Sequence, residues 1–104
     1  MMKILTLNTH SLQEKEMDLK QQILAEFIEK EQPDVVALQE VNQTMSADAL
    51  PALPPRYVAV QNGVPMKADN YANALQNKLI ALNQDYYFAW LPMKVGYEIG
   101  RAHV

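Results

Sequence analysis

Two short apolar runs near the start of the chain enclose a segment with helical spacing. The first run, Ile4 to Leu7, ends in polar residues from Asn8 onward, and the second, Asp34 to Gln39, contains two β-branched valines. Apolar runs of this length, bounded by polar residues, predict strands that are buried on both faces.

The segment between these runs, residues 16–31, predicts an α-helix. Apolar side chains recur there at the spacing that forms one stripe along a helix, while Glu26, Glu29 and Lys30 are expected to face away from that stripe. Pro33 cannot continue a helix and restricts the residue before it, so the helix should stop there. The predicted stripe consists of Leu19, Ile23, Leu24, Phe27 and Ile28.

A strand, a helix and a second strand joined by short connections predict a βαβ unit with parallel strands and a right-handed crossover. Asn8 then closes the first strand and Glu40 closes the second. Ligand sites in open α/β sheets gather at the carboxyl ends of the strands. We therefore expect Asn8 and Glu40 to meet at one edge of the sheet.

The remainder of the chain predicts less regular structure. Residues 42–56 contain three prolines and are expected to form a loop. Residues 57–60 and 86–91 are strand-like, and Asn62-Gly63 is a turn signal. Asp69 is the expected N-cap of a second helix, which runs to about Asn83 with apolar residues at helical spacing. Those residues are Ala72, Leu75, Leu79 and Leu82.

Composition limits the classes of protein that this chain can represent. It has 104 residues, no cysteine and a formal net charge of −3, which fits at most one small globular domain without disulfides or thiolate metal sites. Its lysines are scattered, whereas a non-specific nucleic-acid surface concentrates basic residues. The apolar run at the N-terminus is too short for a signal peptide or a membrane span, so a cytoplasmic location is expected.

Glu40 and Asn8 are the candidate site residues. A carboxylate is a suitable ligand for Mg²⁺, and an asparagine can supply a carboxamide oxygen or hold a metal-bound water or phosphate. Taken singly, a Glu at a strand end is more often a solvated carboxylate, and an Asn there is more often a turn former. The pair therefore needs a wider pattern to support it.

That wider pattern is a family resemblance over residues 3–97. Lys3 to His10, followed by Pro33 to Val41, resembles the opening of the endonuclease/exonuclease/phosphatase superfamily (exonuclease III-like and DNase I-like enzymes), in which one strand ends in Asn and the next in Gln-Glu. Residues 69–97 also resemble one bacterial branch of it. The resemblance implies an α/β fold: the N-terminal half of a DNase I-like four-layer α/β sandwich, starting with a βαβ unit.

The resemblance also implies an activity, the Mg²⁺-dependent hydrolysis of phosphodiesters or phosphomonoesters, with Mn²⁺ as the alternative cofactor. It assigns Glu40 as the metal ligand and places Asn8 in the same metal pocket, so that both are catalytic-site residues. The implied substrate is a phosphate ester, either DNA, a phosphorylated lipid or a small molecule. No obligate protein partner is implied.

Three other groups of residues are candidates for chemistry. The superfamily's catalytic histidine lies near its far C-terminus, so His10 is interpreted as a loop histidine at the rim of the pocket. Tyr71 and Asn73 could approach substrate, although Tyr71 could equally be a core aromatic at the start of a helix. The aromatic residues are expected to belong to the core rather than to a base-stacking platform. These are Tyr86, Tyr87, Phe88 and Trp90.

The sequence also departs from the superfamily pattern. It contains neither an Asp-x-Asn motif nor an Asp-His pair, which complete the catalytic set in that superfamily. Residues 98–104 diverge from the branch and can be encoded by DNA resembling a sequencing adapter. We therefore expect a partial domain over residues 1–97, a non-native tail over residues 98–104, little or no turnover by the chain alone, and an exposed apolar sheet face prone to aggregation.

A non-catalytic α/β binding module, flavodoxin-like or receiver-like, is the alternative hypothesis. A βαβ start with an acidic strand end fits that class as well. Against it, glycine occurs only at positions 63, 96 and 100, so no glycine-rich phosphate loop follows either early strand. A receiver would also carry Asp where this chain has Asn8-Thr9-His10. An interaction fragment is a third possibility, without positive support.

Overall fold

The early part of the fold is a βαβ unit. A computed structural model describes residues 2–10, 16–44, 46–58 and 64–91. Its elements are β1 (Ile4–Asn8), α1 (Met17–Glu31), β2 (Val35–Gln39) and α2 (Tyr71–Ala81). β1 and β2 pair in parallel, with Ile4 opposite Val35 and Asn8 opposite Gln39. The predicted parallel pairing is confirmed, and its register places the carboxyl ends of both strands side by side.

The end of α1 is also as predicted. The helix closes at Glu31, and Gln32 adopts a left-handed conformation with φ 52° while its backbone N–H donates to the carbonyl of Ile28. Pro33 follows and has no N–H with which to extend the ladder. The chain therefore reverses over three residues and enters β2 directly.

The buried face of α1 differs from the predicted stripe. α1 packs against α2 and buries Gln21, Leu24, Ala25 and Ile28. Leu19, Ile23 and Phe27 are exposed instead. At 100° per residue, the five predicted side chains span about half of the helix circumference. Leu24 and Ile28 lie at one edge of that span, and they are the members of the predicted stripe that are buried.

The strands are less buried than their apolar composition predicts. Ile4 is 59% exposed, and Leu7 and Val35 are also exposed. Parallel strands are normally covered on both faces. The described residues form a sheet of two strands only, so part of each strand's apolar surface stays uncovered.

The N-cap of α2 is Asn70 rather than Asp69. The Asn70 side chain accepts a hydrogen bond from the N–H of Asn73 at 3.1 Å, as an N-cap does three residues into a helix. The Asp69 carboxylate instead accepts from the N–H and the hydroxyl of Thr44. The helix also ends at Ala81, two residues before the predicted Asn83.

The two strands predicted at residues 57–60 and 86–91 are represented, in the described part of the chain, by one isolated bridge. Tyr57 and Phe88 form an isolated parallel bridge, and the remainder of residues 86–91 has no strand pairing. Two side chains connect this extended segment to the β2 region: the Tyr86 hydroxyl donates to Pro33 O at 2.5 Å, and the Trp90 indole N–H donates to Val41 O at 2.7 Å. Residues 59–63 and 92–104, including the predicted turn and the 98–104 tail, lie outside the described residues.

One core cluster joins these elements. Its members come from α1, from α2 and from the irregular segments between β2 and Leu91. The most deeply buried of them are Ala25 and Ile28. Burial and the charge of Asp34 raise the pKa of Tyr86 above its ordinary value. The buried apolar residues are Leu24, Ala25, Ile28, Val41, Met66, Tyr71, Leu75, Leu79 and Trp90.

Candidate metal centre

Asn8 and Glu40 meet at the carboxyl edge of the sheet. Asn8 is the last residue of β1, and Glu40 directly follows β2. The Asn8 side-chain N–H₂ donates to Glu40 Oε2 at 2.8 Å, which is the short distance typical of a hydrogen bond to a charged acceptor. The expected juxtaposition of these two residues is thus observed.

His10 lies on the other oxygen of the same carboxylate. Its Nδ1 is 3.5 Å from Glu40 Oε1, and its backbone N–H donates to Asn8 Oδ1 at 2.9 Å. The Asn8 carboxamide therefore connects both partners, since its nitrogen holds Glu40 and its oxygen holds the backbone of His10. Half of the imidazole surface is exposed, which is compatible with a loop histidine.

Two backbones at this edge are left-handed. Glu40 has φ 57° and His10 has φ 50°, a region that residues other than glycine seldom occupy. The turn at Glu40 stops β2 and directs the carboxylate back across the end of β1. Unfavourable backbone conformations of this kind persist where surrounding contacts hold them.

Thr9 supplies contacts that hold the Glu40 turn. Its hydroxyl is shared between Gln39 O at 3.1 Å and Glu40 O at 2.9 Å, and its N–H donates to Gln39 O at 2.9 Å. Thr9 is buried, so these bonds are shielded from competing water. Both the backbone and the carboxylate of Glu40 are therefore held by residues that directly follow Leu7.

Residues 41–44, here called the 41–44 segment, hold Glu40 from its other side. Each is bonded to a different part of the chain: Val41 O accepts from Trp90, Asn42 O accepts from the N–H of Tyr71, and Thr44 bonds Asp69. The Gln43 side chain makes three further bonds, to Pro65 O, Lys67 N and the Asn70 amide. The backbone leaving the site is consequently fixed to α2 and to the segments that flank it.

The donor atoms fit a hard divalent cation. Glu40 brings two carboxylate oxygens, and Asn8 Oδ1 has a second lone pair besides the one used by His10 N–H. Mg²⁺ is commonly bound through one or two carboxylates with several waters retained. Among the described residues, no three His, Cys, Asp or Glu side chains cluster as a complete metal cage, so water or substrate oxygens would fill the remaining positions.

The other candidate residues differ in their burial. Tyr71 belongs to the core, as one of the two interpretations expected. Asn73 is buried, and its Oδ1 has no hydrogen-bond partner within residues 2–10, 16–44, 46–58 and 64–91. Trp90 is buried, in agreement with the core prediction, whereas Tyr87 is 72% exposed and the same prediction is wrong for it. An apolar cavity of about 320 Å³ beside β2 is lined by none of Asn8, His10 and Glu40.

The roles of Thr9 and the 41–44 segment in holding Glu40 were not predicted from the sequence. A threonine after a strand end has no distinctive spacing, and its role depends on the register that places it beside Gln39 and Glu40. The Trp90 indole N–H was likewise interpreted only as part of an apolar side chain. A buried tryptophan N–H usually requires an acceptor, and this general rule was the one available signal.

A model of a known protein family matches most of the chain. The model of the Endonuclease/Exonuclease/phosphatase family matches residues 5–98, which include all of α1, β2 and α2 and all of β1 except Ile4. No curated protein and no solved structure matches the chain. Within the described ranges, no helix has the length and apolar character needed to cross a membrane.

Proposed function

Because the chain belongs to the Endonuclease/Exonuclease/phosphatase family, we propose that it carries a divalent-metal site for phosphate-ester hydrolysis, centred on Glu40. The family is of the phosphoesterase type, and the α/β arrangement with a β1-α1-β2 unit is consistent with the N-terminal part of a DNase I-like fold. Family membership favours this enzyme class over a flavodoxin-like or receiver-like module.

The hydrogen bond between Asn8 and Glu40 carries the proposal. A solvated carboxylate at a strand end would need no partner on the neighbouring strand. The Glu40 carboxylate, however, accepts a hydrogen bond from the side-chain nitrogen of Asn8 at 2.8 Å, although the two residues are 32 positions apart. Orienting bonds of this kind typically accompany metal-binding carboxylates. In this arrangement Glu40 is the metal ligand, and Asn8 fixes the rotamer of Glu40 while turning its own oxygen toward the same edge.

A bound Mg²⁺ would polarise a phosphoryl oxygen and stabilise the leaving oxygen. The residues of this chain supply the binding and orientation that such chemistry needs. The Glu40 carboxylate would offset part of the positive charge of the ion. The second lone pair of Asn8 Oδ1 is suited to accept a hydrogen bond from a metal-bound water. Thr9 keeps the turn at Glu40 fixed, so that the carboxylate does not have to reorganise when substrate arrives.

The substrate class that we propose is a phosphate ester recognised through the metal ion. The formal charge of −3 and the scattered lysines provide no extended basic surface to hold a nucleic-acid backbone. Substrate phosphate would therefore be attracted chiefly by the ion. DNA, a phosphorylated lipid and a small phosphate ester all satisfy this requirement and are distinguished by assay.

We further propose that the 104-residue chain binds the metal ion but turns over little or no substrate by itself. The sequence has no Asp-x-Asn motif and no Asp-His pair, so no identified residue activates the attacking water. Positioning and transition-state stabilisation both depend on a complete constellation. Metal binding is therefore the property to measure first.

The test compares Glu40→Gln with Glu29→Gln. Both changes remove one negative charge, but Glu29 is exposed near the end of α1 that leads into β2, whereas Glu40 follows the opposite end of that strand. We expect Glu40→Gln to lower Mg²⁺ affinity by about tenfold or more and Glu29→Gln to leave it unchanged, as measured by calorimetric titration. Equal affinity in all three proteins would show that Glu40 is not the ligand.

Turnover is assayed in parallel on DNA, sphingomyelin, inositol phosphates and a chromogenic phosphodiester. Little or no Mg²⁺-dependent release is expected from the chain alone. Release that disappears in Glu40→Gln but persists in Glu29→Gln would contradict the proposed inactivity, while it would support the proposed site and identify the substrate class.

A further inference from the structure

Among the described residues at the sheet edge, His10 is the group that the proposed Mg²⁺ chemistry leaves without a role. Its Nδ1 lies 3.5 Å from Glu40 Oε1, while Asn8 holds the opposite carboxylate oxygen and the His10 backbone. Asn8 and His10 thus lie on opposite oxygens of one carboxylate. The imidazole contributes the only nitrogen donor atom among these side chains that can ligate a metal.

The separation of the two atoms suits two ligands of one ion. Imidazole nitrogen and carboxylate oxygen each bind a first-row divalent ion at about 2.1 Å. Two such ligands are therefore about 3.0 Å apart at an octahedral angle and about 3.4 Å apart at a tetrahedral angle. The observed 3.5 Å lies just above this range, so an approach of about 0.1–0.5 Å would bring both atoms into contact with the same ion.

The surroundings of the imidazole also permit this role. The side chain of His10 is about half exposed and that of Glu40 is about one quarter exposed, so an ion can reach the pair from solvent. The His10 backbone is fixed by Asn8 Oδ1 at 2.9 Å. The ring is thus held at the carboxylate by its main chain rather than by core packing.

We infer that His10 is a metal-binding residue whose Nδ1 shares the divalent ion with Glu40, so that the site prefers a first-row transition ion such as Mn²⁺ over Mg²⁺. The inference rests on the proposed metal site at Glu40 and adds to it a nitrogen ligand and a metal preference. Carboxylate, carbonyl and water ligands suit both Mg²⁺ and Mn²⁺. An added imidazole ligand favours Mn²⁺, because a first-row transition ion binds nitrogen more strongly than Mg²⁺ does.

The experiment uses tag-free 104-residue protein and Mn²⁺ as the probe. Pulsed EPR detects the coupling of bound Mn²⁺ to an imidazole ¹⁴N, and titration gives the Mn²⁺ and Mg²⁺ affinities. The variants are His10→Asn, His103→Asn and Glu40→Gln. The chain has two histidines, so His103→Asn is the matched control, and asparagine tolerates the left-handed backbone observed at position 10.

We expect imidazole coupling in the unmodified protein and in His103→Asn, and its loss in His10→Asn. His10→Asn should also lower Mn²⁺ affinity by about tenfold while changing Mg²⁺ affinity much less. Backbone amide NMR spectra of each variant establish that the fold is retained, so that a loss of coupling is not a loss of structure.

Two outcomes would overturn the inference, and they differ in what they leave standing. Mn²⁺ binding that is weakened by Glu40→Gln but shows no His10-dependent coupling removes the nitrogen ligand and leaves the proposed function intact. The absence of any Mn²⁺ or Mg²⁺ binding that depends on Glu40 removes the proposed metal site itself, and the inference with it.

Discussion

At the scale of single residues, the site depends on three consecutive side chains that each contact a different part of Glu40. Asn8 holds one carboxylate oxygen, Thr9 holds the carbonyl and His10 approaches the other carboxylate oxygen. The sequence predicted the meeting of Asn8 and Glu40, because parallel strands bring their carboxyl ends together. It did not predict the contribution of Thr9, which follows only from the left-handed turn at Glu40.

Thr9→Val is expected to weaken both the fold and the metal site. Valine has nearly the same shape as threonine but loses the shared hydrogen bond to Gln39 O and Glu40 O, which should cost about 1–2 kcal/mol in unfolding free energy. Metal affinity should fall with it, because the Glu40 turn is less well held. Thr9→Ser retains the hydroxyl and should restore most of the metal affinity.

Urea denaturation and Mg²⁺ titration of these variants provide the measurements. If Thr9→Val is destabilised but binds Mg²⁺ as the unmodified protein does, then Thr9 supports the strand ends without positioning Glu40.

At the scale of elements, the end of α1 was predicted better than its buried face. Pro33 and the residue before it determine where α1 stops, and this is a local effect that the sequence contains. The buried face of α1 is set by where α2 lies, which is not a local property. The Asp69 prediction was wrong for a related reason: Asp69 and Asn70 are both good caps, and Thr44 engages Asp69.

Asn70→Ala and Asp69→Ala distinguish the two caps. Asn70 is fully buried, caps α2 through the Asn73 N–H and donates to Gln43, so its loss should cost about 1–3 kcal/mol. Asp69 is exposed, and its loss should cost less than about 1 kcal/mol. Thermal unfolding followed by circular dichroism tests the order, and an equal cost for both would contradict the assignment of Asn70 as the cap.

The raised pKa of Tyr86 predicts that the folded protein becomes less stable at alkaline pH. Burial, together with the charge of Asp34, raises the pKa of Tyr86 in the folded protein, so the unfolded chain ionises at lower pH than the folded one. Stability should be unaffected below the ordinary tyrosine pKa of about 10 and should fall as pH rises past it. Tyr86→Phe should abolish this dependence, at the cost of one hydrogen bond, about 1 kcal/mol.

Urea denaturation at a series of alkaline pH values measures this effect. A slope with pH that is the same in Tyr86→Phe and in the unmodified protein would assign the dependence to another group.

At the scale of the whole molecule, apolar surface is exposed on both α1 and the sheet. Leu19, Ile23 and Phe27 lie at four-residue spacing along the outer side of α1, and Ile4 and Val35 are exposed on the strands. The family resemblance predicted an uncovered sheet face, but the exposed stripe on α1 was predicted to be core. Only the packing of α1 on α2 reveals which of two adjacent apolar rows is buried.

Ile23 and Ile28 form a matched pair on one helix. Ile28 is fully buried and Ile23 is 56% exposed, so Ile28→Ala should cost about 2–5 kcal/mol, whereas Ile23→Ala should cost less than about 0.5 kcal/mol. Ile23→Lys should preserve stability and reduce self-association, because it interrupts the exposed stripe. Urea denaturation and sedimentation velocity are the measurements, and similar costs for both alanine variants would contradict the observed face.

The 41–44 segment has a consequence for the order in which the molecule folds. Asn8 and Glu40 are 32 residues apart, and Trp90 and Val41 are 49 residues apart. Contacts between residues so distant along the chain require large loops to close and therefore tend to slow folding. Local helix formation in α1 and α2 can come first, and the proposed metal site is then completed only as these distant segments dock. If that site binds a metal ion, the appearance of metal affinity during refolding should coincide with the last cooperative step.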